Sequence, residues 1–143
     1  MKKDTRPIEL QVAELTDEQR RNIPRIFYGH LALAVALILM LLGVIAFFHI
    51  QTAEAYETYD IMEQQFDINM NTGKFTSPDF LDEKWDAYDR WERCRQAELI
   101  SVAAGSIILI VVALLMQLLS NILFPYYSDK KFFYLKKIKK QPH

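Results

Sequence analysis

Polar and apolar residues fall in long separate blocks along this chain. Ile26–Phe48, IFYGHLALAVALILMLLGVIAFF, and Leu99–Phe124, LISVAAGSIILIVVALLMQLLSNILF, contain no Asp, Glu, Lys or Arg. A hydrocarbon core about 30 Å thick is crossed by about 20 helical residues rising about 1.5 Å each, so both blocks are long enough to span it with some tilt. A soluble helix keeps one polar face, and neither block has one. The pattern predicts two transmembrane helices. A cleaved signal sequence ending near Ala53–Ala55 is the rival reading of the first block. Its apolar run would be only about 7–15 residues behind a short basic segment; here the run is longer and follows 25 residues of mixed charge.

The polar blocks carry helical signals of their own. Residues 1–15 read as loosely structured, with Ile8, Leu10 and Val12 in brief alternation. Thr16–Gln19 (TDEQ) has capping-box spacing and predicts a short helix to about Asn22. Pro24 fits a break, or the first turn of the membrane helix. Between the spans, Ala55, Tyr59, Met62 and Phe66 recur at 4-3-4 spacing, which is helical, before the turn punctuation of DINMNTGKFTSPD, Asp67–Asp79. Ser77 as N-cap and Pro78 at the first helical position start a second helix, which nothing interrupts before Pro125. The predicted fold is all-α: a two-span transmembrane helical hairpin with an extracytoplasmic helical extension.

Helix faces refine this picture. Leu81, Trp85, Tyr88, Glu92, Arg95, Leu99, Ala103, Ser106, Ile110, Ala113, Gln117 and Ser120 follow one another at steps of three or four. They form one face, aromatic in its polar part and small or polar in its apolar part. In water bulky side chains gain from burial, at about 25 cal/mol per Å²; in lipid, small residues assist by letting backbones approach. The first span carries a matching stripe, Gly29, Ala32, Ala36, Leu39, Gly43 and Ala46, so the two stripes are expected to face each other. Met62 and Phe66 then lie well over 90° from that stripe on a straight helix. Either the helix breaks near Gln51–Ala53, or its outer half, with Tyr56, Tyr59, Met62 and Phe66 joined by Trp85 and Tyr88, meets a partner.

Charge orients the hairpin. The net charge is only −1, yet residues 51–98 hold twelve Asp/Glu against five Lys/Arg. Near the span ends the termini hold Arg20, Arg21, Arg25, Lys130, Lys131, Lys136, Lys137 and Lys139, against Lys84, Arg90, Arg93 and Arg95 in the central loop. Basic flanks stay on the cytoplasmic side, which predicts a cytoplasmic segment 1–25, spans 26–48 and 99–124, an extracytoplasmic helical hairpin 49–98 and a basic cytoplasmic tail 125–143. The tail, DKKFFYLKKIKK, reads as an interfacial segment drawn to anionic lipid rather than as a nucleic-acid arm.

Chemistry is sparse. Cys94 is the single cysteine, so no intrachain disulfide forms, and a free thiol is expected. His30, His49 and His143 are scattered, with no metal-ligand or nucleophile–base spacing; no enzyme, metal or cofactor is expected. Asp67, Asn69 and Asn71 alternate as in a calcium loop, but Gly73 comes one place late and no Glu closes the loop. His30, Gln117, Ser120 and Asn121 place polar groups within the spans, as interhelical hydrogen-bonding groups rather than an ion pathway. The expected function is that of an integral membrane accessory or assembly protein packing against itself or a larger membrane complex. An oligomeric pore or membrane-disrupting effector is the alternative, with Ser106, Gln117 and Ser120 lining the path.

Overall fold

The computed structural model describes residues 3–141; His143 lies outside them. Among the described residues every regular element is helical: α1 (Ile8–Ala13), α2 (Asp17–Thr72), α3 (Pro78–Leu123) and α4 (Asp129–Lys140). α2 and α3 each contain a stretch long and apolar enough to cross a membrane. The contacts form two compact units: Ile38–Ile108, and the flanking lengths of chain up to Leu37 and from Leu109.

The unit Ile38–Ile108 is an antiparallel helical hairpin. Its turn is tighter than Asp67–Asp79, because α2 continues to Thr72. Gly73 takes φ +67°, and the Lys74 N–H donates to Asn69 O at 2.9 Å, which together make a Schellman stop satisfying a carbonyl at the helix end. Asp67, Asn69 and Asn71 therefore lie on helix, where alternate side chains diverge by about 200° rather than converging on a cation. At the start of α3, Ser77 Oγ accepts from the Phe80 N–H at 3.2 Å, the cap expected there.

α2 does not break at Gln51–Ala53. The apparent phase conflict disappears because the small-residue stripe is not the seam. The half-buried or buried positions of α2 in this unit include an unbroken run, Leu41, Ile45, Phe48, Thr52, Ala55, Tyr59, Met62 and Phe66. Their steps of three and four are those of helices packed at a shallow angle, and the aromatic outer half is in register with the inner half. Facing them on α3 are Lys84, Tyr88, Trp91, Cys94, Glu98, Ser101 and Gly105.

The other unit packs α1, the first part of α2, the end of α3 and α4 around a small core of Val12, Ile23 and Phe132. Residues 1–15 were expected to be loose, but Ile8–Ala13 is a helix. A helix this short has little stability of its own; it is held by burial of Val12 and by Arg6, whose guanidinium donates to Asp4 and to Glu14 at 2.6–3.3 Å. The capping box forms: the Gln19 N–H donates to Thr16 Oγ1 at 3.2 Å, and the Thr16 N–H to Gln19 Oε1 at 3.0 Å. Pro24 leaves α2 unbroken. The interior proline costs about 3 kcal/mol, and the adjacent turn is held by full burial of Ile23 and by Asn22 Nδ2, which donates to Tyr126 Oη at 3.3 Å. α4 starts on Ser128, whose Oγ accepts from the Lys131 N–H.

Candidate functional site

The polar half of the hairpin unit is held by an aromatic cluster. Tyr59 lies parallel to Trp91, with ring centroids 5.8 Å apart. Tyr88 meets Tyr59 and Trp91 edge-on at 5.4 and 5.7 Å, and Tyr56 reaches Trp91 at 5.2 Å. Such pairs contribute about 0.5–1.5 kcal/mol each beyond their buried area. Nearer the turn, Lys84 is buried (6% exposed). Its Nζ lies 2.8 Å from Glu63 Oε2 and 4.1 Å above the Phe66 ring. Lys84, and after it the Tyr59 hydroxyl, holds the Glu63 carboxyl below its usual range; burial first, and Glu63 second, pushes Tyr59 up.

Of the residues expected to meet a partner, Tyr59, Met62, Phe66 and Tyr88 are thus half-buried within the chain, while Tyr56 and Trp85 remain exposed. The small-residue stripes do not face each other in either unit. Gly29, Ala32, Ala36, Gly43 and Ala46 are exposed, as are Ala103, Ser106, Ala113 and Gln117; a Cβ added at Gly29 or Gly43 meets nothing within 4 Å. In the hairpin unit the observed α3 seam runs one residue earlier, through Gly105, about 100° round the helix from Ser106, and in the terminal unit Met116 is half-buried where Gln117 is exposed. Gly105 explains the choice: a Cβ there would collide with Leu41, so the hairpin seats a branched side chain in a glycine gap instead of placing small on small.

Ser120 is the buried member of the α3 stripe (3% exposed), and its Oγ shares a 2.9 Å hydrogen bond with His30 Nε2. Asn121 is exposed beside it. Ser106 Oγ–H turns back to Val102 O at 2.8 Å. No protein-family model, curated protein or solved structure matches this chain. Its function has to be read from its own surfaces. Among the described residues no group of three or more His, Cys, Asp and Glu side chains is placed to hold a metal.

Sequence reasoning missed Lys84, Trp91 and Gly105, although Trp91 lies three residues after Tyr88 and seven after Lys84, a helical-face signal. It also missed His49 Nδ1–H donating to Glu98 Oε1 at 2.9 Å, a pair just beyond the two apolar blocks. The stacking of Phe27 on Phe132 at 3.9 Å joins residues that no spacing rule connects.

Proposed function

We propose that this chain is an integral membrane protein. It crosses the bilayer twice, keeps both termini in the cytoplasm and projects residues 49–98 outside as a helical hairpin. It acts without catalysis, as an accessory or assembly subunit that packs against further copies or a larger membrane complex. One observation carries the reading: Ser120 is the one buried residue of the two apolar blocks, and most of their side chains are exposed. Leu39, Met40, Leu114 and Ile122 are 63–67% exposed, an apolar surface far beyond what a soluble monomer presents. The small-residue stripes lie on that same outward surface, where they let another helix approach closely. Exposed Tyr56 and Trp85 extend the surface beyond the spans.

The test is native mass analysis and crosslinking of the full chain in detergent and in nanodiscs. Assemblies are expected, weakened by Gly43→Leu with helical content unchanged; a lone chain at membrane-like density rejects the reading. For orientation, a Lys74→Cys label in a Cys94→Ser background is expected to react from outside intact cells, and a Lys139→Cys label only after permeabilisation. The pore alternative draws support from Ser106 and Gln117, exposed on an otherwise apolar surface. Conductance in reconstituted bilayers, lost on Gln117→Leu, is its signature. Ser120 is already committed to His30.

A further inference from the structure

The terminal unit contains a cleft of about 840 Å³ between the segment preceding α1, the end of α3 and the start of α4, within the range of small-molecule sites. Four cations line it: Lys3, Arg6, Lys130 and Lys131. Two carboxamides, Gln117 and Asn121, line it from the apolar helix. Asp4 and Asp129 are also in the wall, but both are engaged. Asp4 is hydrogen-bonded to Arg6 at 2.8–3.3 Å, and Asp129 Oδ1 accepts from Tyr127 Oη at 2.8 Å. Arg6 is itself paired with Asp4 and Glu14, so the positive excess of the wall rests on Lys3, Lys130 and Lys131 against the charge of Asp129.

We propose that this cleft binds the phosphate headgroup of an anionic phospholipid, an inference that rests on the membrane-spanning reading. Two features of the site favour the lipid over a free phosphate, and Lys131 supplies donors that either would use. Gln117 and Asn121 stand on the last turns of an apolar helix, at the level where hydrocarbon gives way to headgroups, and carboxamides in that position need polar partners. Ile110 and Leu114, seven and three residues before Gln117, share its helix face and are 61% and 66% exposed, so an apolar track leads away from the cleft along which acyl chains lie. Lys131 Nζ donates to Tyr126 O at 2.9 Å, leaving two of its three protons for a ligand. Burial pushes Lys131 down from the ordinary lysine range; a bound phosphate offsets that desolvation. Basic pockets at the cytoplasmic ends of membrane helices suit anionic headgroups on the same grounds.

The full chain in detergent is titrated with phosphatidylglycerol or phosphatidylcholine of matched acyl chains, and retained lipid is read by native mass spectrometry. Phosphatidylglycerol is expected to be retained preferentially. Lys130→Ala/Lys131→Ala is expected to bind it about tenfold more weakly, the order given by two lysine–headgroup contacts. Lys139→Ala/Lys140→Ala, on the same helix but outside the cleft, is expected to leave binding unchanged. Because Lys131 also holds Tyr126 O, Lys130→Glu gives a second variant with that contact intact, and it is expected to weaken binding as well. Equal loss in the two lysine pairs, or no preference for phosphatidylglycerol, overturns the proposal. Displacement of the lipid by millimolar inorganic phosphate overturns the lipid assignment in favour of a free anion. Alkaline extraction of native membranes separates the two levels: a chain that stays in the pellet yet shows no lipid preference loses only this inference, whereas a chain released by alkali loses the spanning reading itself.

Discussion

Lys84→Met deletes an ammonium while keeping an apolar stem of similar length, and so isolates the ion pair near the hairpin turn. At 2.8 Å from Glu63 Oε2 the attraction is strong only where water is excluded; the Glu63 side chain is 38% exposed. Solvent screening brings the electrostatic share down to about 0.5–1 kcal/mol. The ammonium 4.1 Å above the Phe66 ring adds about 0.5–1 kcal/mol. Lys84→Met is therefore expected to cost about 1–2 kcal/mol, a fall in melting temperature of roughly 3–8 °C for a chain of this length. The two tryptophans of the chain are Trp85 and Trp91, both beside this site, so a tryptophan-fluorescence melt in detergent reports on it directly. Glu63→Leu strands a buried ammonium and is expected to cost at least as much. The double variant removes both charges and is expected to recover about 1 kcal/mol relative to the sum of the singles, because removing a pair costs less than orphaning one member. A Lys84→Met melt within about 1 °C of wild type, or strict additivity in the double variant, refutes the reasoning.

Three further outcomes are expected. Gly105→Leu overfills the gap that seats Leu41, whose Cδ2 and Cγ would lie 3.2 Å from even a methyl, and is expected to destabilise the hairpin by about 1–3 kcal/mol; Gly105→Ala is milder because a terminal leucine methyl can rotate away, and two silent variants would remove Gly105 from the seam. Gly73→Ala forces a Cβ into φ +67° at about 1 kcal/mol, with Gly73→Asn cheaper, both read by the same melt. Acid is expected to weaken both units: Arg6 hydrogen bonds hold Asp4 at about 2 and Glu14 below its usual range, and Lys84 lowers Glu63. Each carboxyl binds fewer protons folded than unfolded, so its contribution is complete above the ordinary carboxylate range near pH 4 and lost as pH falls through the lowered value. Melting temperature is expected to hold from about pH 7 to 5 and drop below about 4, with Glu63→Gln flattening part of the drop in the tryptophan signal.

The two apolar blocks, the helical character of the residues between them, and the caps at Thr16 and Ser77 were legible in the linear order of residues. Each depends on neighbours within four positions, or on the composition of a block, and a helix satisfies its backbone within the same distance. Which face of each long helix meets the other was not legible. Small-residue and branched stripes both run at steps of three and four, and they differ by only one residue in phase. The choice of Leu41 into Gly105, over glycine against alanine, was made by side-chain volumes brought together from positions 64 apart.

The same division holds at the ends of the chain. Block composition alone sets the tail lysines apart from the acidic middle, but α1 is too short to form on local preference, and its contacts with α4 and the stacking of Phe27 on Phe132 arise only on folding. Local hydrogen bonding and hydrophobic pattern act along the chain and can be read there. Packing register depends on steric fit between distant segments, and only the tertiary structure decided it.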